Sequence, residues 1–556
     1  MTIAPSAPAE SAVDALFASL DAAQRAAATL PDGPAQIIAP AGSGKTTTLI
    51  ARLGVLLGRG VAADRIGVVT FNRDAAAELS ARIASRLAPH VPGAEAIEVR
   101  TLHAMARQVL LDAVRPVRLL ADRLPLLRAA RRRALAARPV AADGDDPPPE
   151  PPDPAALDTI VSAWKVEGRP PPPEAAAVVD AFAALLAIRG QIDFDDLVVG
   201  AVAALEADPR LRRRWQGRFS HLCVDEFQDV DAAQLRLIRL LAAPEDNLFV
   251  VGDDDQTIYA WRLADVRRIL RFADDYPSAH RVMLATNYRC PAGVIEASGR
   301  MVAVNRERFE KPIRAPADAE PSPDDIAAVS TAEPGWTDAL AAFAATEAAM
   351  DRSVCFLSRT RSELMPILLA LVRGGVPHTT TMPLPMDAEP VISLMAALRV
   401  TPASGHPFTT LRELRAARGL SRGEAGADEL SEEDLSAIDA LLGWSVGFDG
   451  MPEFVAGFDA ARERIGALRD PTAPIELATV HGSKGREWET VVLIGFEADR
   501  IPNRRSLVDA AQPERAMEEE RRLAYVALTR ATRRLMLAFD PSRPSPFLAE
   551  MGYAIR

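Results

Sequence analysis

The 556-residue sequence predicts an α/β protein with two parallel-sheet domains, each carrying a mainly helical insertion, the second one short. Two sets of short apolar runs, each followed by polar residues and a helical pattern, support this prediction. The runs are Gln36–Ala39, Ile66–Phe71, His221–Asp225 and Asn247–Asp253 in the first set, and Val354–Leu357, Glu476–Thr479, Val491–Gly495 and Leu535–Phe539 in the second. This alternation is typical of parallel sheets, whose functional side chains lie at the C-terminal ends of the strands. The length of the chain also exceeds what one hydrophobic core supports.

The predicted domains are discontinuous along the chain. We expect a first parallel-sheet domain from residues 1–103 and 191–289, interrupted by a helical insertion at 104–190. We expect a second from residues 290–399 and 471–556, interrupted by a helical insertion at 400–470. Proline runs at 143–154 and 169–174 favour extended linkers inside the first insertion. Segment 314–325 is predicted to be an exposed loop.

Composition excludes several classes of protein. No apolar run approaches the roughly 20 residues of a membrane-spanning helix. The N-terminus lacks the basic start of a secretory signal, so we expect a soluble cytoplasmic protein without a membrane partner. The three cysteines, Cys223, Cys290 and Cys355, have no CxxC spacing, which argues against a disulfide framework and a zinc site. Their apolar, strand-like surroundings predict inert core residues.

The basic residues are distributed unusually. The formal net charge of −12 disfavours a uniformly basic protein, but a groove for nucleic acid requires only local positive charge. One arginine-rich stretch is predicted to be either a solvated helix or a surface that faces DNA. Its arginines are Arg115, Arg118, Arg123, Arg128, Arg131, Arg132, Arg133 and Arg138. The chain contains only four lysines, Lys45, Lys165, Lys311 and Lys484, of which the first and last lie in glycine-flanked loops where a compact ammonium suits the site.

A glycine-rich loop, APAGSGKTTT at 39–48, follows the first apolar run and precedes a helical pattern. Glycines in such a loop let backbone N–H groups approach phosphate oxygens, so the loop predicts an ATP site. The residues expected to bind the nucleotide are Gly42, Ser43, Gly44, Lys45, Thr46 and Thr47. Lys45 would reach the β- and γ-phosphates, and Thr46 would place its hydroxyl on Mg²⁺. The strict pattern has glycine where this chain has Ala39.

Two further strand ends complete the predicted site. The run CVDEFQD at 223–229 delivers two adjacent carboxylates, Asp225 for Mg²⁺ and Glu226 to activate the attacking water. The run VGDDDQTIYAWR at 251–262 places Gln256 where it would sense the γ-phosphate.

With these motifs placed, the chain resembles the UvrD/Rep/PcrA family of superfamily 1 helicases, which implies two RecA-like domains. The segment LDAAQRAA at 20–27 resembles the adenine-reading motif and implies that Gln24 contacts the base. Segments TFNRDAAAEL at 70–79 and RTLHA at 100–104 resemble the motifs that touch the DNA backbone, and DFDD at 193–196 resembles the segment that re-enters the first domain. The DNA-binding residues that the resemblance implies are Phe71, Asn72, Thr101, His103, Tyr259, Trp261, Arg262 and His481. Core packing is the alternative for Phe71, Tyr259 and Trp261.

The resemblance continues to the C-terminus. The segment NYRC at 287–290 implies that Tyr288 stacks on adenine and that Arg289 contacts the γ-phosphate. The segment ATVHGSKGREWE at 478–489 implies Lys484 near the phosphates and Glu487 on the ribose, and EEERRLAYVALTRA at 518–531 implies Arg530 as an arginine finger. ATP is then expected between Lys45 and Gln24 on one domain and Arg289 and Arg530 on the other. Departures from the family pattern include Asp74, Leu263 and Arg486.

The function that the resemblance implies is ATP-dependent movement on single-stranded DNA with 3′→5′ polarity and unwinding at single-strand/duplex junctions. We expect ATP and Mg²⁺ as cofactors and a monomer in solution. Two alternatives remain open. One is a translocase that removes proteins from single strands and unwinds poorly, motivated by the short second insertion. The other is an ATP-gated binding switch within a larger complex.

Overall fold

The structure is a computed structural model that describes residues 17–138, 149–380, 385–401, 405–421, 430, 432–508 and 510–553. These residues form two compact units. Unit 1 comprises the described residues up to Glu320 together with Arg521–Val526, and unit 2 comprises Pro321–Glu520 with the described residues from Ala527. Each unit contains a six-stranded parallel sheet, which confirms the predicted α/β class with two parallel-sheet domains. Within the described part of the chain, no helix combines the length and apolar character needed to cross a bilayer.

The sheet of unit 1 places the predicted motifs side by side. Its strands are β1 Ala35–Ile38, β2 Ile66–Thr70, β3 Glu98–Thr101, β4 His221–Val224, β5 Leu248–Gly252 and β6 His280–Met283. Their order is β3-β2-β4-β5-β1-β6, with every neighbouring pair parallel. The C-terminal ends of β4, β5 and β1 are therefore adjacent, and each leads into one of the predicted ATP motifs. The sequence did not predict β3 and β6, because most of their residues are half-buried or exposed and both strands lack an apolar run.

The helices of unit 1 include those that cover both faces of this sheet and those of the first insertion. They are α1 Ala22–Ala28, α2 Lys45–Gly58, α3 Arg73–Arg82, α4 Leu102–Asp112, α5 Leu124–Ala136, α6 Pro154–Glu167, α7 Pro173–Arg189, α8 Phe194–Ala207, α9 Pro209–Gln216, α10 Ala232–Ala242, α11 Arg267–Leu270, α12 Phe272–Asp275 and α13 Ala292–Val302. Successive strand residues point to opposite faces. Accordingly, Ile37 packs with α2 in one apolar cluster, and Ile38 packs with α4, α8 and α10 in another.

The first insertion has a small core of its own, formed by α5, α6 and α7 around Leu127, Val161 and Phe182. The arginine-rich stretch is only partly helical, since Arg115 and Arg118 precede α5. Arg123 is neither solvated nor facing a ligand, because it pairs with Asp158, Asp195 and Asp193 inside the unit. Residues 143–148 of the first proline run lie outside the described residues.

Unit 2 repeats the plan of a parallel sheet. Its strands are β7 Ile326–Ser330, β8 Val354–Ser358, β9 Thr379–Thr380, β10 Ile475–Thr479, β11 Trp488–Ile494 and β12 Ala531–Phe539. Their order is β7-β12-β11-β8-β10-β9, again with parallel neighbours. The four predicted strands are β8, β10, β11 and β12, which are mostly buried. The sequence did not predict β7, whose residues are half-buried or exposed, or the two-residue β9.

The helices of this part of the chain are α14 Trp336–Ala348, α15 Met365–Gly374, α16 Glu389–Val400, α17 Pro407–Ala417, α18 Glu432–Ser445, α19 Met451–Leu468, α20 Arg504–Val508, α21 Pro513–Leu528 and α22 Pro546–Glu550. Helices α16–α19 form the second insertion around a separate apolar cluster that includes Leu394, Leu411, Ile438 and Phe454. This cluster begins at α16, before the expected start at residue 400, because Leu394 on α16 packs with the later helices. Residues 402–404, 422–429 and 431 of the insertion lie outside the described residues.

Unit 1 extends beyond residue 289, where the sequence placed the end of its sheet domain, to Glu320. The extension belongs to unit 1 because Thr286 forms a parallel bridge with Arg314 and because Lys311 is buried among acidic residues that follow β5. All three cysteines are buried, as predicted. Cys290, however, lies in a turn before α13 rather than in strand-like surroundings.

Candidate nucleotide and nucleic-acid site

The glycine-rich loop connects β1 to α2 in unit 1. Gly42 and Gly44 have φ values of +68° and +79°, a left-handed conformation that glycine adopts without strain. A Cβ atom on Gly42 would overlap the Asn287 side-chain oxygen, and one on Gly44 would overlap the Gln24 amide nitrogen. Only glycine therefore fits at both positions. The loop ends at the N-terminus of a 14-residue helix, whose N–H groups and dipole favour an anion such as phosphate.

Lys45 begins α2 and faces the acidic end of β4. Its ammonium nitrogen lies 3.6 Å from a carboxylate oxygen of Glu226, and the two side chains are 13% and 19% exposed. The ammonium nitrogen is buried and has no hydrogen-bond partner among the described residues. A partly buried cation with unused donors fits the β- and γ-phosphates of a nucleotide.

Glu226 is held in an unusual backbone conformation beside Asp225. Its φ of +52° is rare for a residue with a Cβ, and its N–H donates to the Asp225 carboxylate at 3.0 Å. The Gln228 amide donates a hydrogen bond to the Glu226 carboxylate. Strain of this kind is common where a side chain must be aimed at a ligand. Here the conformation directs two adjacent carboxylates from the end of one strand.

The same amide links Glu226 to the end of β5. The Gln228 side-chain oxygen accepts from the backbone N–H of Asp253 at 3.0 Å, and Gln228 is fully buried. Asp253 in turn accepts from the Gln256 amide at 2.7 Å. The structure therefore joins Glu226 and Gln256, which the sequence predicted as separate catalytic groups, through one buried chain of hydrogen bonds.

The adenine and γ-phosphate residues implied by the fourth motif also lie at the glycine-rich loop. The Tyr288 N–H donates to the Gly42 carbonyl at 2.9 Å, and its hydroxyl donates to Asp21 at 2.8 Å. The Tyr288 ring is 52% exposed. Gln24 is buried and donates to the Ser43 carbonyl at 3.0 Å, so its side chain also supports the loop.

Arg289 belongs to unit 1, together with Lys45 and Gln24. A Cβ atom on Gly42 would lie 2.7 Å from the Arg289 Cβ. The expectation that Arg289 contacts ATP from the opposite domain to Lys45 is therefore wrong, whereas the predicted domain bounds already placed residue 289 in the first domain. The chain does not leave unit 1 at the fourth motif, because the residues after it pack back onto this unit.

A narrow cleft, with space for about one water molecule, lies between the acidic pair and the DNA-motif residues of unit 1. Its walls include Asp225, Glu226, Thr70, Phe71 and His103, which follow or end β4, β2 and β3. Burial lowers the pKa of His103 below its ordinary value. The carboxylates and the DNA-motif residues therefore line the same cleft, so a movement of one set can displace the other.

Asn72 and Thr101 cap helices in this structure. The Asn72 side-chain oxygen accepts from the Ala75 N–H at 2.8 Å, and the Thr101 hydroxyl accepts from the Ala104 N–H at 3.2 Å. Such caps hold the N-termini of α3 and α4 in place. Both residues therefore position the predicted DNA-contacting segments.

Three aromatic rings form a continuous group at the predicted DNA-facing positions. Phe71 and Tyr259 are stacked with ring centres 4.8 Å apart, and Tyr259 meets Trp261 edge-on at 6.3 Å. Trp261 is 51% exposed, and the Arg262 guanidinium lies 4.6 Å from its ring centre. Core packing does not account for Trp261, because half of its surface is exposed. Exposed rings beside a cation suit nucleic-acid bases.

In unit 2, Arg530 lies against the loop of the fifth motif. It is buried and donates to the Arg486 carbonyl at 3.3 Å, while the Trp488 N–H donates to the Arg530 carbonyl at 3.1 Å. Lys484 and Glu487 flank Arg486 in this loop, and His481 lies in the short turn before it. The structure thus groups the four predicted residues of the fifth and sixth motifs.

Sequence reasoning missed three residues of these sites. Gln228 lies inside the acidic motif but carries no charge, and its role depends on a contact with the next strand. Lys311 was one of four conspicuous lysines, yet it has no glycine-rich neighbourhood. Phe194 begins α8, is 42% exposed and meets the His103 ring edge-on at 5.9 Å. The aromatic residue within DFDD was a signal for it.

The chain matches two family models. The UvrD/REP helicase N-terminal domain matches residues 20–277, and the UvrD-like helicase C-terminal domain matches residues 461–541. The chain is 30% identical over 594 residues to the ATP-dependent DNA helicase UvrD2 of Mycobacterium tuberculosis, in an alignment that covers 96% of this chain and 80% of that protein. It is 27% identical over 654 residues to the ATP-dependent DNA helicase PcrA of Leuconostoc citreum, which covers 97% and 86%. The chain therefore belongs to the UvrD/REP helicase family.

Proposed function

We propose that this chain is an ATP-dependent single-stranded DNA translocase and 3′–5′ DNA helicase. We further propose that it is a cytoplasmic protein that acts in DNA repair or replication restart. The observation that carries the proposal is the cleft of unit 1, whose walls combine Asp225 and Glu226 with Thr70, Phe71 and His103. A motor needs its hydrolytic groups to act on its DNA-contacting groups, and this cleft brings the two sets together. Relatives named ATP-dependent DNA helicases support the same function.

The residues of unit 1 fit a nucleotide with Mg²⁺. The buried Lys45 ammonium has no hydrogen-bond partner among the described residues, and the glycine positions exclude a Cβ. Thr46 and Asp225 offer the hydroxyl and carboxylate oxygens that Mg²⁺ prefers, with ATP oxygens as further ligands. When bound, Mg²⁺ neutralises charge on the phosphates. No group of three or more His, Cys, Asp or Glu among the described residues is arranged to hold a metal without such help.

Hydrolysis is assigned to groups that the structure connects. Glu226 accepts a proton from the attacking water, because its carboxylate is aimed by the left-handed backbone and by the Gln228 amide. Lys45 moves from Glu226 to the phosphates when ATP binds, which leaves the carboxylate available as a base. Gln256 orients the γ-phosphate from the Asp253 side.

The remaining nucleotide contacts are assigned by family resemblance and by position at the loop. The half-exposed Tyr288 ring stacks on adenine, with Gln24 at its edge, and Arg289 contacts the γ-phosphate. In unit 2, Lys484 serves the phosphates, Glu487 the ribose and Arg530 the γ-phosphate. The grouping is supported by Arg530, which is buried and donates to the Arg486 carbonyl in the loop that holds Lys484 and Glu487.

Single-stranded DNA is the proposed track. Stacking is tolerant of sequence because every base has a π-face, and the exposed Trp261 ring with Arg262 above it offers such a surface. Phe71 and Tyr259 support Trp261 through their ring contacts. His103 and His481 contribute polar contacts to the strand.

A second candidate is a translocase that strips proteins from single strands and unwinds little. It is motivated by the short second insertion, whose four described helices enclose one apolar cluster. Strand displacement from 3′- and 5′-tailed duplexes by the pure protein, compared with removal of streptavidin from a biotinylated single strand, separates the two. Displacement of only the 3′-tailed duplex supports the helicase, and streptavidin removal without displacement supports the translocase.

The central experiment measures ATP hydrolysis with single-stranded DNA, duplex DNA, RNA and no nucleic acid. We expect single-stranded DNA to raise kcat most strongly. ATP hydrolysis that does not respond to any nucleic acid would instead favour an ATP-gated binding switch.

Lys45→Ala should abolish turnover while single-stranded DNA binding persists, since the proposed role of Lys45 is to bind the phosphates. Unchanged turnover in this variant would remove the assigned site.

A further inference from the structure

We propose that Lys311 is a positioning residue for ATP hydrolysis, which holds Asp253, and through it Gln256 and Glu226, in place at the phosphate end of the site. The inference rests on the proposed ATPase function. It adds a residue from outside the strand-end motifs, in the segment through which the chain leaves unit 1.

The Lys311 ammonium lies where three carboxylates converge. Its nitrogen is 3.0 Å from an Asp253 oxygen and 2.9 Å from an Asp255 oxygen, and it also pairs with Asp254. The Lys311 side chain is 1% exposed and the three aspartate side chains are 0% exposed. Arg308 adds a second cation, with two hydrogen bonds of 3.0 and 2.7 Å to Asp255.

A buried cluster of this kind is costly to build for stability alone. Desolvation of each ion is costly. Well-packed apolar residues of similar volume often give equal or greater stability. Three carboxylates against two cations leave this cluster one negative charge in excess. Accordingly, burial raises the pKa of Asp254 to about 6. The cluster therefore calls for a role beyond holding the fold together.

The position of the cluster supplies that role. One Asp253 oxygen accepts from Lys311 and the other accepts from the Gln256 amide at 2.7 Å. The Asp253 N–H donates to Gln228, whose amide donates to Glu226. A single side chain, that of Asp253, thus links Lys311 to Gln256, the proposed γ-phosphate sensor. Lys311 reaches the proposed catalytic base through the backbone of the same aspartate.

The segment that carries Lys311 is tied to the glycine-rich loop as well. The Phe309 N–H donates to Asp254 at 2.8 Å, and the Arg314 carbonyl accepts from the Asn287 N–H at 2.8 Å. Asn287 precedes Tyr288, whose N–H donates to Gly42. The exit segment 308–314 therefore contacts both the sensor side and the Arg289 side of the phosphate region. A shift of either side reaches the chain that leads to residue 320, where unit 1 ends.

The choice of lysine fits a geometric requirement. Of 64 basic residues only four are lysines, so arginine occupies nearly every position that accepts it. Arg308 in the same cluster forms a fork to one carboxylate. Only a compact ammonium with three donors can serve three carboxylates that converge on one point. We therefore expect Lys311→Arg to retain the charge but not the function.

The test compares Lys311→Met with Lys165→Met in the full chain. Lys165 is a matched control, because its side chain is 8% exposed and pairs at 2.8 Å with Asp193 and Asp196, away from Gln256. With single-stranded DNA present, Lys311→Met should lower kcat for ATP hydrolysis about 10- to 100-fold, the range for loss of an outer partner of catalytic ligands. The KM of Lys311→Met for ATP should change by less than about threefold, because Lys311 makes no contact with bound ATP in the proposed site. Lys165→Met should retain kcat, because its partners Asp193 and Asp196 are not part of the proposed hydrolytic site.

Loss of folding is separated from loss of positioning by the double variant Lys311→Met/Asp254→Asn. This pair removes one positive and one negative charge, so the melting temperature should recover while kcat stays low, because Asp253 still lacks its ammonium. Recovery of kcat together with the melting temperature would show a purely structural cluster and overturn the inference. A folded Lys311→Met protein with unchanged kcat would overturn it as well. Failure of the unmodified chain to hydrolyse ATP would instead reject the proposed function.

Discussion

The Lys45 ammonium and the Glu226 carboxylate form an ion pair with 3.6 Å between nitrogen and oxygen. The two residues come from different strand ends of one sheet, and both are largely buried. In the proposed cycle this pair is broken when phosphate replaces the carboxylate as the partner of Lys45. The pairing therefore restrains the base until a nucleotide is present.

Glu226→Gln should lower kcat for ATP hydrolysis about 10²- to 10⁴-fold, the contribution of a general base. Glutamine keeps the shape of the side chain but does not accept a proton from water. ATP binding should persist, because Lys45 is released from a charged partner. Steady-state hydrolysis with single-stranded DNA, together with binding of a fluorescent ATP analogue, measures both effects.

Glu296→Gln is the matched control for Glu226→Gln. Glu296 is an exposed carboxylate on α13 that pairs with Arg300 one helical turn away and lies outside the motifs assigned to ATP or DNA. Its kcat should equal that of the unmodified protein. A Glu226→Gln enzyme with normal kcat would place the base elsewhere.

Trp261→Ala should weaken single-stranded DNA binding by about 1–3 kcal/mol, the loss seen when a stacking ring is removed. Half of the Trp261 surface is exposed, so thermal stability should change little. Hydrolysis without DNA should also persist. Fluorescence anisotropy with a labelled oligonucleotide checks the affinity, and Trp261→Phe should retain most of it. Equal affinities for the alanine variant and the unmodified chain would assign the ring to another purpose.

Elements with an apolar core were predictable from sequence. Strands such as β1, β4 and β5 are fully buried, so their runs of apolar residues stand out, and the motif residues that follow them meet at one edge of the sheet. Strands β3 and β6 have half-exposed patterns and were missed. Their pairing depends on neighbouring strands distant in sequence, which a local pattern does not contain.

The candidate site was predictable where chemistry is local. The glycines next to Lys45 and the paired carboxylates at 225 and 226 are recognisable as local sequence motifs. Lys311 lies 58 residues beyond Asp253, and only the tertiary fold brings the two together. The assignment of Arg289 to the other domain failed for a related reason, since the return of segment 308–314 to unit 1 has no signature in the sequence.

Leu263 stands in a left-handed conformation with φ of +64°, where the family pattern has glycine. This conformation costs a residue with a Cβ about 1–2 kcal/mol. Leu263→Gly should therefore be more stable than Leu263→Ala by about 1 kcal/mol, because the two variants lose the same packing and only alanine keeps the strain. Chemical denaturation of the two variants measures the difference.

The matched pair for Leu263 is Glu78→Gly and Glu78→Ala on α3, an ordinary helix. There the order should reverse, since glycine is about 1 kcal/mol less favourable than alanine inside a helix. The same order at both positions would show that Leu263 is not strained.

Asp231→Asn should remove a pH dependence of stability. Asp231 caps α10 by accepting from the Gln234 N–H at 2.8 Å, and burial raises the pKa of this carboxyl to about 6. The folded state then binds the proton more tightly than the unfolded state, whose pKa is about 3.9. The contribution of this group to the free energy of unfolding is thus fully present below about pH 4 and is lost as pH rises through about 6.

Asparagine keeps the capping oxygen and does not ionise. Asp231→Asn should match the unmodified chain near pH 4 and exceed it in melting temperature at pH 7.5, by an amount corresponding to at most about 3 kcal/mol. Paired thermal melts across this range give the difference, in which the titration of other carboxylates cancels. Asp64→Asn, on an exposed turn, controls for the removal of one negative charge. If the gap between the Asp231 variant and the unmodified chain does not widen as pH rises from 4 to 7.5, the Asp231 carboxyl is not the group that opposes folding at neutral pH.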